Sequence, residues 1–373
     1  MKLIKETVTN VLMKTPINIP DIDEEEIREV RKVLSEKSLT SSSFDGGIRV
    51  QQFEKLLSKF VKSKFVVAVN SGTAALQASL YALDIKPGDE ILIPSFTFVA
   101  TANSVKSVGA KPVFVDILKD NFTMDPNSLR KKITRQTKAI IPVHLYGHMA
   151  YMKEILEIAR KYNLKIIEDA SQSLGSKLKG KHSGTFSHLG CFSLYAAKVI
   201  TSGEGGAIVT DNKKLFEKLK QIRNHGLSKS RVTTTFGLNL RLPEINAALA
   251  KIQMKKLPAF LTARKKNAQI LTEFLRNYNI ALPKQRKSET LNWYLYTISL
   301  KNRNSAMKKL NSSGIGATVY YSTPIHRTPY YKTKASLPNT EWAASHVLSL
   351  PIHPKVTKSD MVRMKKILTS NRN

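Results

Sequence analysis

Short apolar runs alternate with amphipathic segments through the first two thirds of the chain. We predict buried strands where several apolar residues follow one another, and helices where apolar residues recur at helical spacing, as Val50, Phe53 and Leu57 do. The predicted strands are 65–69, 91–94, 113–115, 138–143, 164–167, 191–195 and 207–210. Helical patterns separate most of these runs. Repeated strand–helix–strand units of this kind predict an α/β fold with a mostly parallel central sheet and helices on both faces.

The chain before the first predicted strand contains two helical patterns joined by a loop. The first helix is expected to begin at Asp21 or Asp23, because both can cap it and 24–26 are acids that suit the positive end of a helix. The composition of residues 40–47, TSSSFDGG, indicates a loop. Residues 1–20 are expected to form an extended lead-in.

The pattern changes near residue 257, where a long basic helix is predicted from Ala259 to Tyr278. Beyond this helix the predicted elements are strands at 293–300 and 316–321 and helices at 340–348 and 359–370. A chain of 373 residues exceeds a single typical core. We therefore predict a large domain over residues 1–256 and a smaller α+β domain over residues 257–373.

The formal net charge is +32, from 60 Lys and Arg against 28 Asp and Glu, and it is the one extreme value in the composition. Such a charge favours nucleic acid, anionic membranes or phosphorylated ligands. The basic residues are spread along predicted helices as doublets and triplets, such as 130–132 and 264–266, and no nucleic-acid motif accompanies them. We therefore expect a solvated basic surface and no specific nucleic-acid partner.

The single cysteine, Cys191, excludes an intramolecular disulfide and fits a reducing compartment. Residues 1–14 contain no apolar core of signal-peptide length, and no run in the chain approaches ~18 apolar residues. These features predict a cytoplasmic protein without a membrane span.

Two polar side chains stand at the ends of apolar runs between residues 165 and 206. Asp169 follows the run 164–167, and Lys198 follows the run 191–195 between small and apolar neighbours. Ligands bind outside the carboxyl ends of parallel strands, so a carboxylate and a lysine at two such ends can face one ligand. Pyridoxal phosphate chemistry needs an acid on the ring nitrogen and a Schiff-base lysine, and apolar surroundings lower the pKa of a lysine. Taken singly, Asp169 could be only a helix N-cap and Lys198 only a surface charge.

Residues 70–73, Asn-Ser-Gly-Thr, lie between the first predicted strand and a predicted helix. A small polar turn at a helix N-terminus can hold a phosphate with its backbone N–H groups and the helix dipole. An ordinary capped turn explains the same residues equally well. None of the strand–helix units carries the G-x-G-x-x-G dinucleotide fingerprint, which weakens a dehydrogenase alternative.

His144 and His148 have the spacing of metal ligands on a helix. Gly147 and the position of this segment at a strand end argue against a helix there. No third ligand of suitable spacing follows, so we predict no metal site.

Together, the pattern EDASQS…G…FSLYAAK…GEGG in residues 168–206 and the segment FGLNLRLPEINAAL in residues 236–249 resemble the sugar aminotransferases of the DegT/DnrJ type. The resemblance extends over most of residues 20–355. It implies the aspartate-aminotransferase fold of pyridoxal phosphate enzymes, which is fold type I, and pyridoxal 5'-phosphate as the cofactor.

The resemblance also implies roles for individual residues. Those expected at the cofactor are Gly72, Thr73 and Ser193 at the phosphate, Phe98 stacked on the ring, Asp169 at the ring nitrogen, Gln172 at the ring hydroxyl, and Lys198 as the Schiff-base lysine. Lys198 and Asp169 are the expected catalytic residues. Asn239 is expected to reach the phosphate of the neighbouring subunit's cofactor, which implies a homodimer with shared active sites.

The implied reaction moves an amino group from an amino acid, with L-glutamate expected, to a nucleotide-linked keto sugar. A related branch that dehydrates sugars has histidine in place of Lys198, so the lysine favours transamination. The residues GEGG at 203–206 are closer to enzymes that aminate carbon 4 of the sugar than to the carbon-3 branch, which often has GDGG. We therefore expect amination at carbon 4 of a 4-keto-6-deoxy sugar.

Three residues have open roles. Many relatives have histidine where this chain has Leu174, so a substrate contact from that position is not expected here. Arg241 could bind the carboxylate of the amino donor, or it could pair with an acid of its own domain. His326 could line the mouth of the pocket, or it could be a loop histidine without a catalytic role.

Two alternative functions follow from the same residues. One is an aminotransferase for a cyclitol or an aminoshikimate-type ketone. The other is a non-catalytic regulatory or anionic-polymer-binding protein of the same fold, suggested by the charge of +32. The second alternative predicts that cofactor residues are lost, and none is.

Overall fold

A computed structural model describes residues 14–370. In this part the helices are α1 Glu24–Ser35, α2 Ile48–Val61, α3 Gly72–Ala82, α4 Ala100–Ser107, α5 Pro126–Lys131, α6 Met152–Lys161, α7 Lys213–Arg223, α8 Glu244–Leu275, α9 Arg303–Ser312, α10 Pro338–His346 and α11 Lys358–Thr369. The strands are β1 Phe65–Val69, β2 Glu90–Pro94, β3 Lys111–Val115, β4 Thr137–Ile140, β5 Lys165–Asp169, β6 Lys177–Leu178, β7 Lys181–His182, β8 Leu189–Ser193, β9 Gly206–Thr210, β10 Glu289–Thr290, β11 Tyr296–Ser299 and β12 Val347–Leu350. The predictions for residues 1–13, an extended lead-in without a signal-peptide core, lie outside the described residues.

The central sheet has seven strands in the order β1-β9-β8-β5-β4-β2-β3. Its neighbouring strands pair in parallel, except that β9 runs antiparallel to both β1 and β8. The predicted mostly parallel sheet is therefore confirmed. Because six strands point the same way, their carboxyl ends meet at one edge of the sheet, where ligands bind in such folds.

Alternate residues of β1 enter cores on opposite sides of the sheet. Val66 and Ala68 pack in a core with residues of α2 and α8, whereas Val67 and Val69 pack in a core with residues of α3 and α7. Burial on both faces explains why the strands appear in the sequence as continuous apolar runs rather than as alternating patterns. The expected helices on both faces are confirmed.

Helix α1 begins where one of the two predicted caps stands. The Asp23 side chain accepts from the backbone N–H of Glu25, and the Glu26 side chain accepts from the backbone N–H of Asp23. Glu26 is fully buried and also accepts from Lys256 and Gln253 of α8. Glu26 thus fixes α1 against α8.

Helix α8 runs without interruption from Glu244 to Leu275 and contains Pro258. We predicted a helix only from Ala259, because proline removes a helical hydrogen bond and usually ends a helix. The division at residue 256 therefore falls inside one continuous helix, and the two-domain organisation stays a prediction. Although α8 has 32 residues, no helix within residues 14–370 is both long and apolar enough to cross a membrane.

The region after α8 differs from the prediction at three places. The strand predicted at 316–321 is wrong, since only a single bridge from Thr318 to Ser349 forms there and Tyr321 has a positive φ of 62°. The helix predicted at 340–348 ends at His346, because Val347 begins β12, which pairs antiparallel with β11. The strand predicted at 293–300 is shorter, because Trp293 has a positive φ of 49°.

Candidate active site

A cavity of about 640 Å³ opens at the carboxyl ends of the central strands. Seven of the eight predicted site residues line it: Gly72, Thr73, Phe98, Asp169, Gln172, Ser193 and Lys198. These residues come from the start of α3, from the loops that follow β2, β5 and β8, and from the ends of β5 and β8 themselves. The sheet topology therefore brings together side chains that lie up to 126 positions apart in the sequence (198 minus 72).

The N-terminus of α3 forms one end of the cavity. Ser71 caps this helix, since its Oγ accepts from the backbone N–H of Ala74 at 3.0 Å. The next residue, Gly72, lies so close to β8 that a Cβ atom built on it would be 2.8 Å from the Cβ of Ser193. Glycine thus allows the first turn of α3 to approach Ser193, and the free N–H groups of a first helical turn favour an anion at this end.

Asp169 is the last residue of β5 and is 5% exposed. Its Oδ2 accepts from Thr101 Oγ1 at 2.9 Å, and its Oδ1 accepts from the backbone N–H of Ser171 at 3.2 Å. Thr101 belongs to α4 and is almost completely buried. These two donors, from two different elements, fix the orientation of the carboxylate inside the cavity.

Lys198 lies in the loop between β8 and β9 and is half-buried. Burial lowers the pKa of its amine to about 8, although the negative charge of Asp169 and the Tyr195 side chain act in the opposite direction. Its Nζ atom lies 5.0 Å from the centroid of the Tyr294 ring. A substantial fraction of this amine is therefore neutral near physiological pH and can act as a nucleophile.

Gln172 is held by hydrogen bonds at both ends of its amide. Its Oε1 accepts from the backbone N–H of Tyr146 at 2.9 Å, and its Nε2 donates to Tyr321 Oη at 2.8 Å. One of the two Nε2 hydrogens is used in this bond. The fixed amide faces the cavity with its second hydrogen available for a ligand.

Phe98 is exposed, unlike the buried Asp169 and Gln172: its side chain is 60% accessible to solvent. It lies in the loop between β2 and α4 and lines the cavity. An exposed aromatic ring beside a lysine and a carboxylate provides a flat apolar surface on which a planar ring can stack.

His144 takes part in a buried network behind this cavity. Its Nε2 lies 2.9 Å from Glu168 Oε2, and its Nδ1 accepts from the backbone N–H of Ala150 at 3.0 Å. Glu168 also accepts from the backbone N–H groups of Gly184 and Phe186. This network occupies the imidazole with protein partners and fixes the strand that carries Asp169.

Residues 20–369 match the sequence profile of the DegT/DnrJ/EryC1/StrS aminotransferase family. The chain belongs to this family. The matched span includes every residue that lines the cavity. The resemblance drawn from residues 168–206 and 236–249 is confirmed.

Several of the named relatives are sugar aminotransferases. The UDP-2-acetamido-2-deoxy-3-oxo-D-glucuronate aminotransferase of Pseudomonas aeruginosa is 37% identical over 310 residues, which are 83% of this chain and 86% of that protein. The dTDP-3-amino-3,4,6-trideoxy-alpha-D-glucose transaminase of Streptomyces venezuelae is 35% identical over 349 residues, or 91% of each chain. The crystal structure of Streptomyces venezuelae DesV in complex with a ketimine intermediate matches with a TM-score of 0.89 and 33% identity, over 95% of this chain and 98% of DesV.

This aminotransferase therefore has the fold type I of pyridoxal phosphate enzymes, and pyridoxal phosphate is its cofactor. The residues of the cavity fit that group. A helix N-terminus that only glycine allows to approach Ser193 suits the phosphate, a buried carboxylate suits the ring nitrogen, and an amine of lowered pKa suits the aldehyde.

Two predicted residues of the aminotransferase lie outside the cavity. Asn239 is exposed, and its backbone carbonyl accepts from Asn70 Nδ2 at 3.3 Å. Arg241 Nη1 donates to Asn224 Oδ1 at 2.7 Å, so it pairs with an amide rather than with an acid of its own domain. Neither side chain contributes to the cavity within one subunit.

The structure also places His326 and Leu174, whose roles the sequence left open. His326 is fully buried and does not line the cavity; its Nδ1 is 2.7 Å from Ser95 Oγ, and its Nε2 is 3.3 Å from Glu341 Oε1. Of the two alternatives for His326, the position at the mouth of the pocket is therefore wrong. Leu174 lines a separate void of about 10 Å³ next to Lys198.

Sequence reasoning did not identify several residues that line the cavity. They are Thr101 and the tyrosines 195, 294, 320 and 321. Thr101 follows Phe98 by three residues at the start of α4, so its helical spacing could have indicated that it faces the same ligand. The tyrosines at 294, 320 and 321 come from the C-terminal part of the chain, and no local pattern indicates that they reach the sheet edge.

Proposed function

We propose that this aminotransferase transfers the amino group of L-glutamate to a nucleotide-linked keto sugar. The observation that carries the proposal is Lys198: its amine has a lowered pKa of about 8 and lines the same cavity as Asp169 and the start of α3. A surface lysine would not show this environment. The names of two relatives, which specify dTDP- and UDP-linked sugars, support the sugar as the class of acceptor.

Each residue at the cavity has a separate role in the proposal. Lys198 would hold the cofactor covalently through Nζ and, once released, its neutral Nζ would move a proton from the amino carbon of the donor to the cofactor. Asp169 holds a proton on the ring nitrogen, and the hydrogen bond from Thr101 keeps its carboxylate in place. When bound, pyridoxal phosphate supplies a ring that accepts the electrons of the donor's carbanion.

The other residues position the cofactor. Gly72 and Thr73 offer backbone N–H groups to the phosphate, and Ser193 adds its hydroxyl. Gln172 donates its second Nε2 hydrogen to the ring hydroxyl. Phe98 would offer its exposed ring for stacking against the cofactor's ring.

The walls of the cavity suit a sugar as the second substrate. Tyr195, Tyr320 and Tyr321 line it, and Tyr195 is 50% exposed. Aromatic faces pack against the C–H groups of a sugar ring, and their hydroxyl groups can pair with sugar hydroxyls. A nucleotide attached to that sugar carries negative phosphates, which a chain of net charge +32 attracts.

The position of the ketone is the finer part of the proposal. The segment 203–206, GEGG, favours carbon 4. The name of the Pseudomonas aeruginosa relative specifies a 3-oxo substrate, and that of the Streptomyces venezuelae relative specifies a 3-amino sugar. Carbon 4 is our first candidate because of residues 203–206, and carbon 3 is the second because of the names of these relatives. Matched 3-keto and 4-keto nucleotide sugars test them directly.

We further propose a cytoplasmic homodimer in which Asn239 completes the partner's cofactor site. The exposed position of Asn239 and the 57% exposure of nearby Phe236 support this arrangement, since both are free to contact a second chain. The reduced, buried thiol of Cys191 fits the cytoplasm.

Absorbance spectra of the purified protein test the proposal. The wild type should show the band of the lysine-bound cofactor, and L-glutamate should bleach it. The variant Lys198→Ala should bind the cofactor without that band. A wild type that never develops the band with added pyridoxal phosphate would contradict the role of Lys198.

The substrate is tested in a second step, after bleaching by glutamate. Addition of the correct keto sugar should restore the band, and a control with a cyclic ketone of the cyclitol type should not. If only the cyclic ketone restored the band, the acceptor would be a cyclitol-type ketone and not a nucleotide sugar.

A further inference from the structure

We propose that Arg264 is a positioning residue for Lys198 and acts through Asn18. The buried Arg264 and the half-buried Asn18 together form what we call the strap, which holds the loop of Lys198 and the segment of Tyr294 at a fixed separation. The inference rests on the proposed role of Lys198 in binding the cofactor.

The first half of the strap reaches the lysine loop. Arg264 Nη2 donates to Asn18 Oδ1 at 2.9 Å. The amide nitrogen of Asn18 donates in turn to the backbone carbonyl of Ala197 and lies 3.4 Å from that of Lys198. The guanidinium is thus connected by one amide to the two peptide groups that carry the lysine.

The second half of the strap reaches the backbone of Tyr294, whose ring lies near the lysine amine. Arg264 Nη1 donates to the carbonyls of Trp293 at 3.2 Å and Tyr294 at 3.1 Å. The ring of Tyr294 is the one that lies 5.0 Å from Lys198 Nζ. One guanidinium therefore fixes both the backbone of the lysine and the backbone of the ring that its amine faces.

The chemistry of Arg264 is unusual for a residue that serves stability alone. It is 2% exposed, and its Nη1 and Nη2 donors bond to carbonyl and amide oxygens rather than to a carboxylate, while its buried Nε has no hydrogen-bond partner within residues 14–370. Burying such a charge costs free energy, and an apolar residue of similar volume is often as stable or more stable. A planar fork that bonds three oxygens in fixed directions provides geometry that an apolar residue cannot provide.

Packing alone leaves room around the lysine loop. One void of about 10 Å³ is lined by Lys198, Leu174 and Tyr294, and a second of about 10 Å³ is lined by Lys198 and Arg264. Close packing normally fixes buried segments, and voids of this size forfeit part of that contact. The hydrogen bonds of the strap supply fixed contacts to the lysine loop beside these two gaps.

The variant Arg264→Met tests the strap in the holoenzyme. Methionine fills much of the same space but cannot donate to Asn18 or to the two carbonyls. We expect kcat to fall about 10- to 100-fold with little change in KM for glutamate, since a misplaced catalytic group costs this much. The pH titration of the lysine-bound cofactor's absorbance should shift by roughly half a pH unit or more, because the surroundings of Nζ change.

The variant Arg303→Met is the matched control. Arg303 is 8% exposed, and its Nη1 donates to the carbonyl of Val347 at 3.1 Å, away from the cavity. This variant should change thermal stability but leave both kcat and the spectral titration as in the wild type. Equal effects of the two variants would reduce Arg264 to a structural residue.

The variant Asn18→Ala keeps the test decisive if Arg264→Met fails to fold. It removes the connection to the lysine loop together with the acceptor of Arg264 Nη2, but keeps the bonds of Nη1 to the two carbonyls, and it should reproduce the spectral shift in a protein that retains Arg264. A wild-type titration and kcat in Asn18→Ala would overturn the strap. Absence of the lysine-bound band in the wild type itself is a different result, because it would contradict the role of Lys198 and not the strap.

Discussion

Thr101 Oγ1 donates a hydrogen bond to Asp169 Oδ2 across 2.9 Å, and both side chains are almost completely buried. The threonine comes from α4 and the aspartate from the end of β5, so the bond joins two elements at the edge of the sheet. A buried carboxylate loses much of its solvation, and each donor it keeps has a large effect. The position of the acid therefore depends on a hydroxyl that does not itself react.

The variant Thr101→Val should weaken the binding of pyridoxal phosphate. Valine keeps the shape but removes the donor, and losing a hydrogen bond to a charged group costs about 1.5–3 kcal/mol, or roughly 10- to 100-fold in affinity. Titration of the cofactor by absorbance measures this change. Thr101→Ser retains the hydroxyl and should bind within a few-fold of the wild type; equal affinities for valine and serine variants would contradict the role of the bond.

The rate at which the apoenzyme takes up pyridoxal phosphate should rise with pH and level off above about 8. Only the neutral amine of Lys198 attacks an aldehyde, and burial lowers its pKa to about 8 from the ordinary lysine value of 10.5. Below the midpoint, the neutral fraction and hence the rate change about tenfold per pH unit. Stopped-flow absorbance between pH 6 and 10 measures the profile, and a midpoint at the ordinary lysine value would refute the prediction.

Tyr294 offers a further control of that profile. Its ring stabilises the protonated amine of Lys198 by a cation–π contact, which contributes about 0.5–2 kcal/mol. Tyr294→Leu should therefore lower the midpoint by roughly half a unit or more, whereas Tyr294→Phe keeps a ring and should leave it nearly unchanged. A higher midpoint in Tyr294→Leu would mean that the ring does not favour the charged form.

The strands and the two central site residues could be predicted because their signals are local. Strands buried on both faces leave continuous apolar runs, and the polar residues that end those runs must lie at the ligand-binding edge. Asp169 and Lys198 become candidates in this way, and the family resemblance then favours them over a helix cap and a surface charge. The cap at Asp23 is local too, since it needs only the acids of the first turn.

The rest of the site depends on contacts between distant segments. Asn18 and Arg264 are 246 positions apart, and their bond follows from the path of α8 through Pro258, which a local rule treats as a helix end. Tyr321 reaches the cavity from a left-handed backbone conformation that no hydrophobic pattern indicates. The strand at 347–350 exists because β11 is available for pairing, so the tertiary partner overrides the helical pattern.

His353 should make the stability of the fold depend on pH. It is 2% exposed, its Nε2 lies 3.0 Å from the carbonyl of Pro16, and burial lowers its pKa to about 4 from 6.5. Between pH 6.5 and 4 the unfolded chain binds a proton that the folded chain does not, so stability should fall as pH falls through this window and be fully present above it. One such proton gives a slope of about 1.4 kcal/mol per pH unit.

Urea unfolding from pH 8 to pH 4 measures this slope in the wild type and in His353→Gln. Glutamine can still donate to Pro16 but takes up no proton, so the variant should lose less stability across the window. Comparison at pH 8 gives the cost of the substitution itself and serves as the internal control. Parallel curves for the two proteins would show that His353 is not the group responsible.

The variant Gly72→Ala should disturb the phosphate end of the cavity. Its Cβ would lie 2.8 Å from the Cβ of Ser193, so either α3 or β8 must move, and the first-turn N–H groups move with it. We expect cofactor affinity to fall by about 10-fold or more and the free energy of unfolding to fall by about 1–3 kcal/mol.

The double variant Gly72→Ala with Ser193→Gly removes the contacting Cβ and should recover part of the stability without recovering affinity, because the Ser193 hydroxyl is lost as well. Thermal unfolding and cofactor titration separate the two effects, and a double variant no more stable than Gly72→Ala would mean that the contact with Ser193 is not the cause.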